Sequence, residues 1–119
     1  MSKYHAKKVT IDGIGFDSIK EAKRYNELKF LQRAGQIQNL ELQKPYELIP
    51  AQRETDTVGK RGGIIKGKVI EKAVVYRADF VYTENGQTIV EDVKGVKTKD
   101  YIIKRKLMLF RFGIRIREI

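Results

Sequence analysis

Asp79, Asp92 and Lys94 are the residues whose types and spacing point to chemistry. They lie in the segment 76–95, YRADFVYTENGQTIVEDVKG, which reads as two strands joined by a tight turn. Asn85-Gly86 is a strong hairpin signal, because both turn positions need φ > 0. Tyr76, Ala78, Phe80 and Tyr82 alternate with Arg77, Asp79 and Val81 at the period of a strand, which puts Asp79 on the face opposite the aromatic residues. Asp92 and Lys94 are two apart on the second strand, 88–94, and share a face. Pairing through the turn brings Asp79 and Asp92 towards each other.

Two converging carboxylates repel unless a cation lies between them or one is protonated. Hard divalent cations such as Mg²⁺ use oxygen ligands, often one or two carboxylates plus substrate phosphate. A lysine beside such a site can hold an attacking water and balance phosphate charge. The trio therefore suits a metal-dependent phosphodiester-cleaving centre. A solvated hairpin face carrying an ordinary Asp–Lys pair would use the same residues.

Charge supports a polyanionic partner. The 119 residues carry a formal net charge of +10, with a pI of about 9.8. From Lys94 onward nine basic residues face two acidic ones, Asp100 and Glu118. The length predicts one domain, and 41% hydrophobic residues can supply its core. There are no cysteines and a single histidine, His5, so disulfides, thiolate sites and zinc are not expected. No apolar run is long enough for a signal peptide or membrane helix, and a cytoplasmic protein is the expectation.

The elements that position the trio are legible from local signals. Residues 9–11 and 14–16 flank Asp12-Gly13 as a small hairpin with a primed turn. Ser18-Ile19-Lys20-Glu21 fits a capping box, opening a helix that runs to about Ala34 before Gly35. Its buried stripe is Ala22, Tyr25, Leu28 and Leu31, with Lys20, Lys23, Arg24, Glu27 and Lys29 on the outer face. Glu21 borders the stripe, either as the capping-box acid or as a third carboxylate aimed inward. Residues 40–43 and 45–49 read as strand pieces interrupted near Lys44-Pro45, at an edge.

The stretch 52–68 reads as a flexible basic loop or hairpin, with four glycines and Lys60-Arg61. It matches no nucleotide-binding fingerprint. Thr98 is placed to cap a second helix over about 99–111, with Ile103, Leu107 and Phe110 as its stripe and Ile102 and Met108 beside it. Its basic residues follow directly on Asp92 and Lys94. Residues 114–119 read as a last strand. The expected architecture is α/β, a sheet with helices packed on it.

That order, with Glu21 on the first helix, Ala78-Asp79 on one core strand, Asp92-Val93-Lys94 on the next and a basic helix after it, resembles the PD-(D/E)XK nuclease superfamily. Ala78 stands where that superfamily has its proline. Nearly the whole chain, from KYHAKKVTIDGIGFDSIKEAKRYNELKF through YRADFVYTENGQTIVEDVKG to KRKLMLFRFGIRIREI, is similar to small phage and prophage proteins placed among these enzymes near Holliday-junction resolvases. The resemblance implies a restriction-endonuclease-like mixed sheet flanked by helices, in the order helix, three strands, helix, strand.

It also implies a Mg²⁺- or Mn²⁺-dependent endonuclease acting on DNA, including branched DNA, in phage DNA processing within a bacterial host cell. Glu21, Asp79, Asp92 and the Val93 carbonyl would hold the metal, and Lys94 would orient or activate the water. Lys97, Lys99, Lys104, Arg105, Arg111, Lys60 and Arg61 would bind phosphates. Gln43 and Lys104 are further candidates for site contacts. A symmetric substrate requires two cuts, which a homodimer would supply. Two competing readings remain: a non-catalytic DNA- or RNA-binding module, and a phage replication adaptor on the same fold.

Overall fold

The computed structural model describes residues 8–93 and 96–119. The chain opens with the hairpin of β1 (Val9–Ile11) and β2 (Ile14–Phe16), joined by a primed turn with Asp12 at φ 52° and Gly13 at φ 77°. Helix α1 (Ile19–Arg33) follows, and the Glu21 amide donates to the Ser18 hydroxyl oxygen at 3.1 Å as an N-cap. Next come β3 (Gln38–Ile49), β4 (Gln52–Arg53), β5 (Thr57–Val58), β6 (Ile64–Ile65), β7 (Val69–Glu71), β8 (Val74–Glu84) and β9 (Gln87–Asp92). Helix α2 (Lys99–Phe112), capped by Thr98, and β10 (Arg117–Glu118) complete it.

The central sheet is mixed, in the order β10-β9-β8-β3. β8 pairs antiparallel with both β3 and β9, and β10 joins β9 in parallel. β3 is an edge strand, which accommodates Pro45. The turn at Asn85-Gly86 has φ 51° and 76°, and it sets the expected register, Thr83 opposite Thr88 and Phe80 opposite Glu91.

The two helices cover opposite faces. α1 buries Ala22, Tyr25 and Leu28 against Phe80, Tyr82, Ile37 and Phe16. α2 buries Tyr101 and Met108 against Tyr76, Ala78, Val81, Val90 and Leu48. This corrects the expected single aromatic face of β8. Tyr76 and Ala78 pack with α2, whereas Phe80 and Tyr82 pack with α1. β3 changes sides with it, because Leu40 and Leu42 pack on the α1 side and Tyr46 and Leu48 on the α2 side. The register is unbroken across the change, from Leu42 opposite Phe80 to Lys44 opposite Ala78. The switch falls at Gln43 and Asp79, and Gln43 takes a left-handed conformation at φ 53° to make it.

The stripe of α2 is as expected at Ile102, Leu107 and Met108, which pack on the sheet, but not at Ile103 and Phe110. Ile103 is 58% exposed and Phe110 88%. The side facing the sheet also includes Tyr101 and Arg105, four residues apart, with Met108 three residues further on. Tyr101 and Arg105 both donate to Glu118 of β10, at 2.7 and 3.2 Å. Polar atoms with partners turn this face inward, and apolar spacing alone does not reveal them.

Arg24 likewise leaves its expected outer position. Its guanidinium makes a two-pronged contact with the wholly buried Glu91 of β9, at 2.8 and 2.6 Å. The Tyr82 hydroxyl donates to the same carboxylate, and Arg117 stands 3.9 Å away. Burial, then the bond to Glu91, pushes the Tyr82 phenol up to about 12, so it remains a donor through neutral pH. Replacing Arg24 by Met should destabilise the fold by about 3 kcal/mol, because it strands a buried charge. Tyr82 and Arg117 keep this near the low end for a broken buried pair. Urea denaturation of Arg24→Met, Glu91→Met and the double variant checks it, and the double variant should lose less than the sum of the singles.

Candidate functional site

Glu21 sits in the first turn of α1, where the helix dipole favours a carboxylate, and only 9% of its surface is exposed. Gln43 reaches it from β3, its amide nitrogen donating to Glu21 Oε1 at 3.3 Å. The same nitrogen donates to Asp79 Oδ1 at 3.2 Å. One NH₂ group thus lies between two carboxylates contributed by α1 and β8. The opposite amide orientation would aim a carbonyl oxygen at both acids. Asp79 Oδ2 accepts the backbone N–H of Val93 at 2.8 Å, which ties β8 to the end of β9.

Asp92 is almost completely buried beside this pair. It lies on the α2 side, where the Tyr76 hydroxyl donates to its Oδ2 at 2.5 Å. Burial first, then the bond to Asp92, pushes the Tyr76 phenol well above its ordinary range. Tyr76 is therefore a fixed donor that orients the carboxylate. The sequence presents it only as a strand aromatic. Strict alternation puts it on the face opposite Asp92, and only the face switch at Asp79 turns Tyr76 towards the side occupied by Asp92.

The geometry brings Glu21, Asp79 and Gln43 together and places Asp92 and Val93 next to them. Lys94 lies outside the described residues. Among the described residues, no three His, Cys, Asp or Glu side chains gather closely enough to hold a metal ion. The donors around Gln43 nevertheless suit a hard cation. They are carboxylate oxygens, two of them already turned towards one electropositive group, and Mg²⁺ commonly needs only one or two protein carboxylates.

The nominated basic residues separate into groups. Lys97 and Arg105 are engaged within the fold, each 3.2 Å from the Glu118 carboxylate. Lys104 is half-buried and lines a cavity of about 420 Å³ with Val75, Tyr76, Arg77, Thr98, Asp100 and Tyr101. It is the basic residue of α2 that shares a cavity with the residue holding Asp92. Lys99 is exposed in the first turn of α2, and Arg111 lies in the last turn over the Phe112 ring at 5.4 Å. Lys60 and Arg61 are exposed between β5 and β6, away from the sheet. No helix among the described residues is long and apolar enough to cross a membrane.

Mixed sheet, two covering helices and a carboxylate–amide cluster at the strand switch define an α/β domain with a polar site on its central strands. The chain belongs to a family whose model matches residues 1–117, described as "Protein of unknown function (DUF1064)". No curated protein and no solved structure matches it.

Glu118 supplies a pH test of the platform beneath the site. The Tyr101 hydroxyl, then Lys97 and Arg105, hold its carboxyl below the ordinary 4.5. A depressed folded pKa contributes stability that is complete above the unfolded value and is lost as pH falls through the folded one. Stability conferred by Glu118 should therefore disappear as pH falls below about 4.5, and Glu118→Gln should remove that part of the acid dependence. Carbon-13 shifts of the Glu118 carboxyl against pH, beside urea midpoints of both proteins, check the direction.

Proposed function

We propose that this chain is a metal-dependent DNA endonuclease of the PD-(D/E)XK type. The observation that carries the reading is the convergence of Glu21 and Asp79 on one amide group, with Asp92 adjacent. These acids come from a helix and two strands that are far apart in sequence. The order α1, β3, β8, β9, α2, β10 corresponds to the helix, three strands, helix, strand core of that superfamily. The similarity to phage and prophage proteins near Holliday-junction resolvases makes branched DNA the first substrate to try.

On this reading Glu21 and Asp79, with Asp92 and the Val93 carbonyl, would hold Mg²⁺ or Mn²⁺. The bound ion would polarise the scissile phosphate and lower the pKa of an attacking water. Tyr76 keeps Asp92 oriented by donating to one oxygen. Gln43, whose NH₂ group contacts both acids, would keep them oriented towards the shared site. Lys94, two residues beyond Asp92 in the D-x-K pattern, holds the water and takes part in its deprotonation. Lys99, Lys104 and Arg111 bind the phosphates flanking the break.

A labelled panel of four-way junction, flap, duplex, single-stranded DNA and RNA tests this, with Mg²⁺, Mn²⁺ or EDTA. Cutting should require metal. Asp79→Asn and Asp92→Asn should each lower it about 100-fold or more, with binding in EDTA retained. Lys94→Ala should do the same without changing the affinity for metal. Salt-sensitive binding with no cutting of any substrate would move the assignment to a non-catalytic nucleic-acid-binding module. Tight binding to a protein beside weak, salt-erased nucleic-acid binding would indicate a replication adaptor.

A further inference from the structure

Beyond the sheet, the β3–β8 pair continues as a two-stranded arm. β4 pairs antiparallel with β7, and β5 with β6, so the second pair is nested inside the first. Of the loop or hairpin expected for this stretch, the structure forms the hairpin, a ribbon with its own cross-links. Glu54 N–H donates to Lys68 O at 2.9 Å, the Arg53 guanidinium to Gly67 O at 3.0 Å and Gly67 N–H to Asp56 Oδ1 at 2.8 Å. At the tip, Gly59 N–H donates to Gly63 O at 2.7 Å. The strands touch at Gly67, where an added Cβ would lie 1.8 Å from the Glu54 carbonyl oxygen. Only glycine permits that approach.

The distal half of the arm has an uneven composition. Residues 57–68 contain Lys60, Arg61, Lys66 and Lys68 and no acidic residue. Beside these cations stand β-branched side chains open to solvent, Val58 at 74%, Ile64 at 73% and Ile65 at 55% exposed. A ribbon that is cationic and apolar together, with no core to cover it, matches a ligand that offers phosphates at its edges and apolar groups between them. Duplex DNA does so in its major groove, where phosphates flank the thymine methyl groups.

Width selects the groove. Two strands about 4.8 Å apart with their side chains fit a major groove about 12 Å wide but not a minor groove of about 6 Å. The major groove of A-form RNA is too deep and narrow for side chains to read. From β4 to the tip the arm can span at most about 33 Å, roughly one turn of B-DNA.

We propose that the arm spanning β4 to β7 lies in the major groove of B-form duplex DNA and makes the protein prefer DNA to RNA duplexes. This rests on DNA being the polyanion of the proposed endonuclease, but its test needs no cleavage. The probes are a fluorescent 24-bp DNA duplex, the RNA duplex of the same sequence, and the DNA duplex with its cytosines replaced by glucosylated hydroxymethylcytosine. The sugars fill the major groove without changing backbone charge. Affinities are read by anisotropy in EDTA at several salt concentrations.

The wild-type protein should bind the plain DNA at least about tenfold more tightly than the RNA or the glucosylated DNA. Replacing Lys60, Arg61, Lys66 and Lys68 together by Ala should abolish that difference and reduce the log–log salt slope on DNA by about 3 to 4. Gly67→Ala, which deforms the ribbon without altering its charge, should also lose the preference, with the thermal midpoint of the domain nearly unchanged. Equal losses on all three duplexes would overturn the proposal. So would a variant that changes the oligomeric state in gel filtration while keeping the preference for DNA, since the arm would then pair with a second copy. If the preference holds but no substrate is cut with Mg²⁺ or Mn²⁺, the endonuclease reading fails and the arm assignment stands.

Discussion

The carboxylate of Glu91 has no exposed surface, and the position of α1 depends on it. A lone charge in that place would be costly. The Arg24 guanidinium supplies the opposing charge through two parallel contacts, and the Tyr82 hydroxyl completes the shell. A planar fork meeting a carboxylate accepts little rotation or slippage. Sliding α1 by one residue would leave Glu91 without its main partner, so the pair selects one helix register. Glu21 is three residues before Arg24 and therefore on the same side of α1, and Asp92 directly follows Glu91. The contact that neutralises Glu91 thus also ties the position of Glu21 to that of Asp92, the two acids of the candidate site that adjoin it.

The second constraint is the face switch in β3 and β8. Side chains in a covered sheet normally enter one core or the other. Gln43 and Asp79 sit where both strands exchange faces, on the seam between the α1 and α2 cores. This lets a carboxylate occupy the middle of a central strand while keeping contact with water. The backbone at Gln43 holds a non-glycine residue at φ 53°, a conformation that costs on the order of 1 kcal/mol. Arg77 helps hold it there, because its guanidinium donates to the Gln43 carbonyl oxygen at 3.0 Å. Strain at that residue coincides with the one amide that contacts both Glu21 and Asp79.

Local chemistry in the sequence specified much of this fold. Asn85-Gly86, Asp12-Gly13, Ser18, Thr98 and Gly113 each act within a few residues, and the turns and helix ends formed where they stand. Because the Asn85-Gly86 turn also fixes register, Asp79 could be placed near the end of β9 from sequence. What strict alternation could not convey was the left-handed residue at position 43, since nothing local requires glutamine to adopt it. The matching switch in β8 moves Tyr76 from the expected common aromatic face to the side of Asp92. On α2, apolar spacing pointed to Ile103 and Phe110, whereas hydrogen bonds to Glu118 turned Tyr101 and Arg105 inward. Arg24 was misplaced for the same reason. A charged residue is legible as buried only once its partner is known, and Glu91 lies 67 residues away in sequence.

The same pairing decides where the net charge of +10 is felt. Glu91 absorbs Arg24, Asp12 holds Lys29, and Glu118 takes both Lys97 and Arg105. Cations bound to acids contribute little field beyond the surface, whereas clustered ones without acidic neighbours add together. One stretch with clustered cations and no acidic residue is the distal arm, 57–68, and α2 carries Lys99, Lys104 and Arg111 besides. Helix α2 packs on the half of β8 that holds Tyr76 and Ala78, and the arm leaves the sheet from that same half. Val75, which lines the cavity with Lys104, lies only four residues from the end of β7. The base of the arm and the Lys104 cavity thus both adjoin Tyr76, the residue that holds Asp92. On the proposed reading, a rod-like polyanion held by the arm and by α2 would run past Tyr76 and the carboxylate it orients.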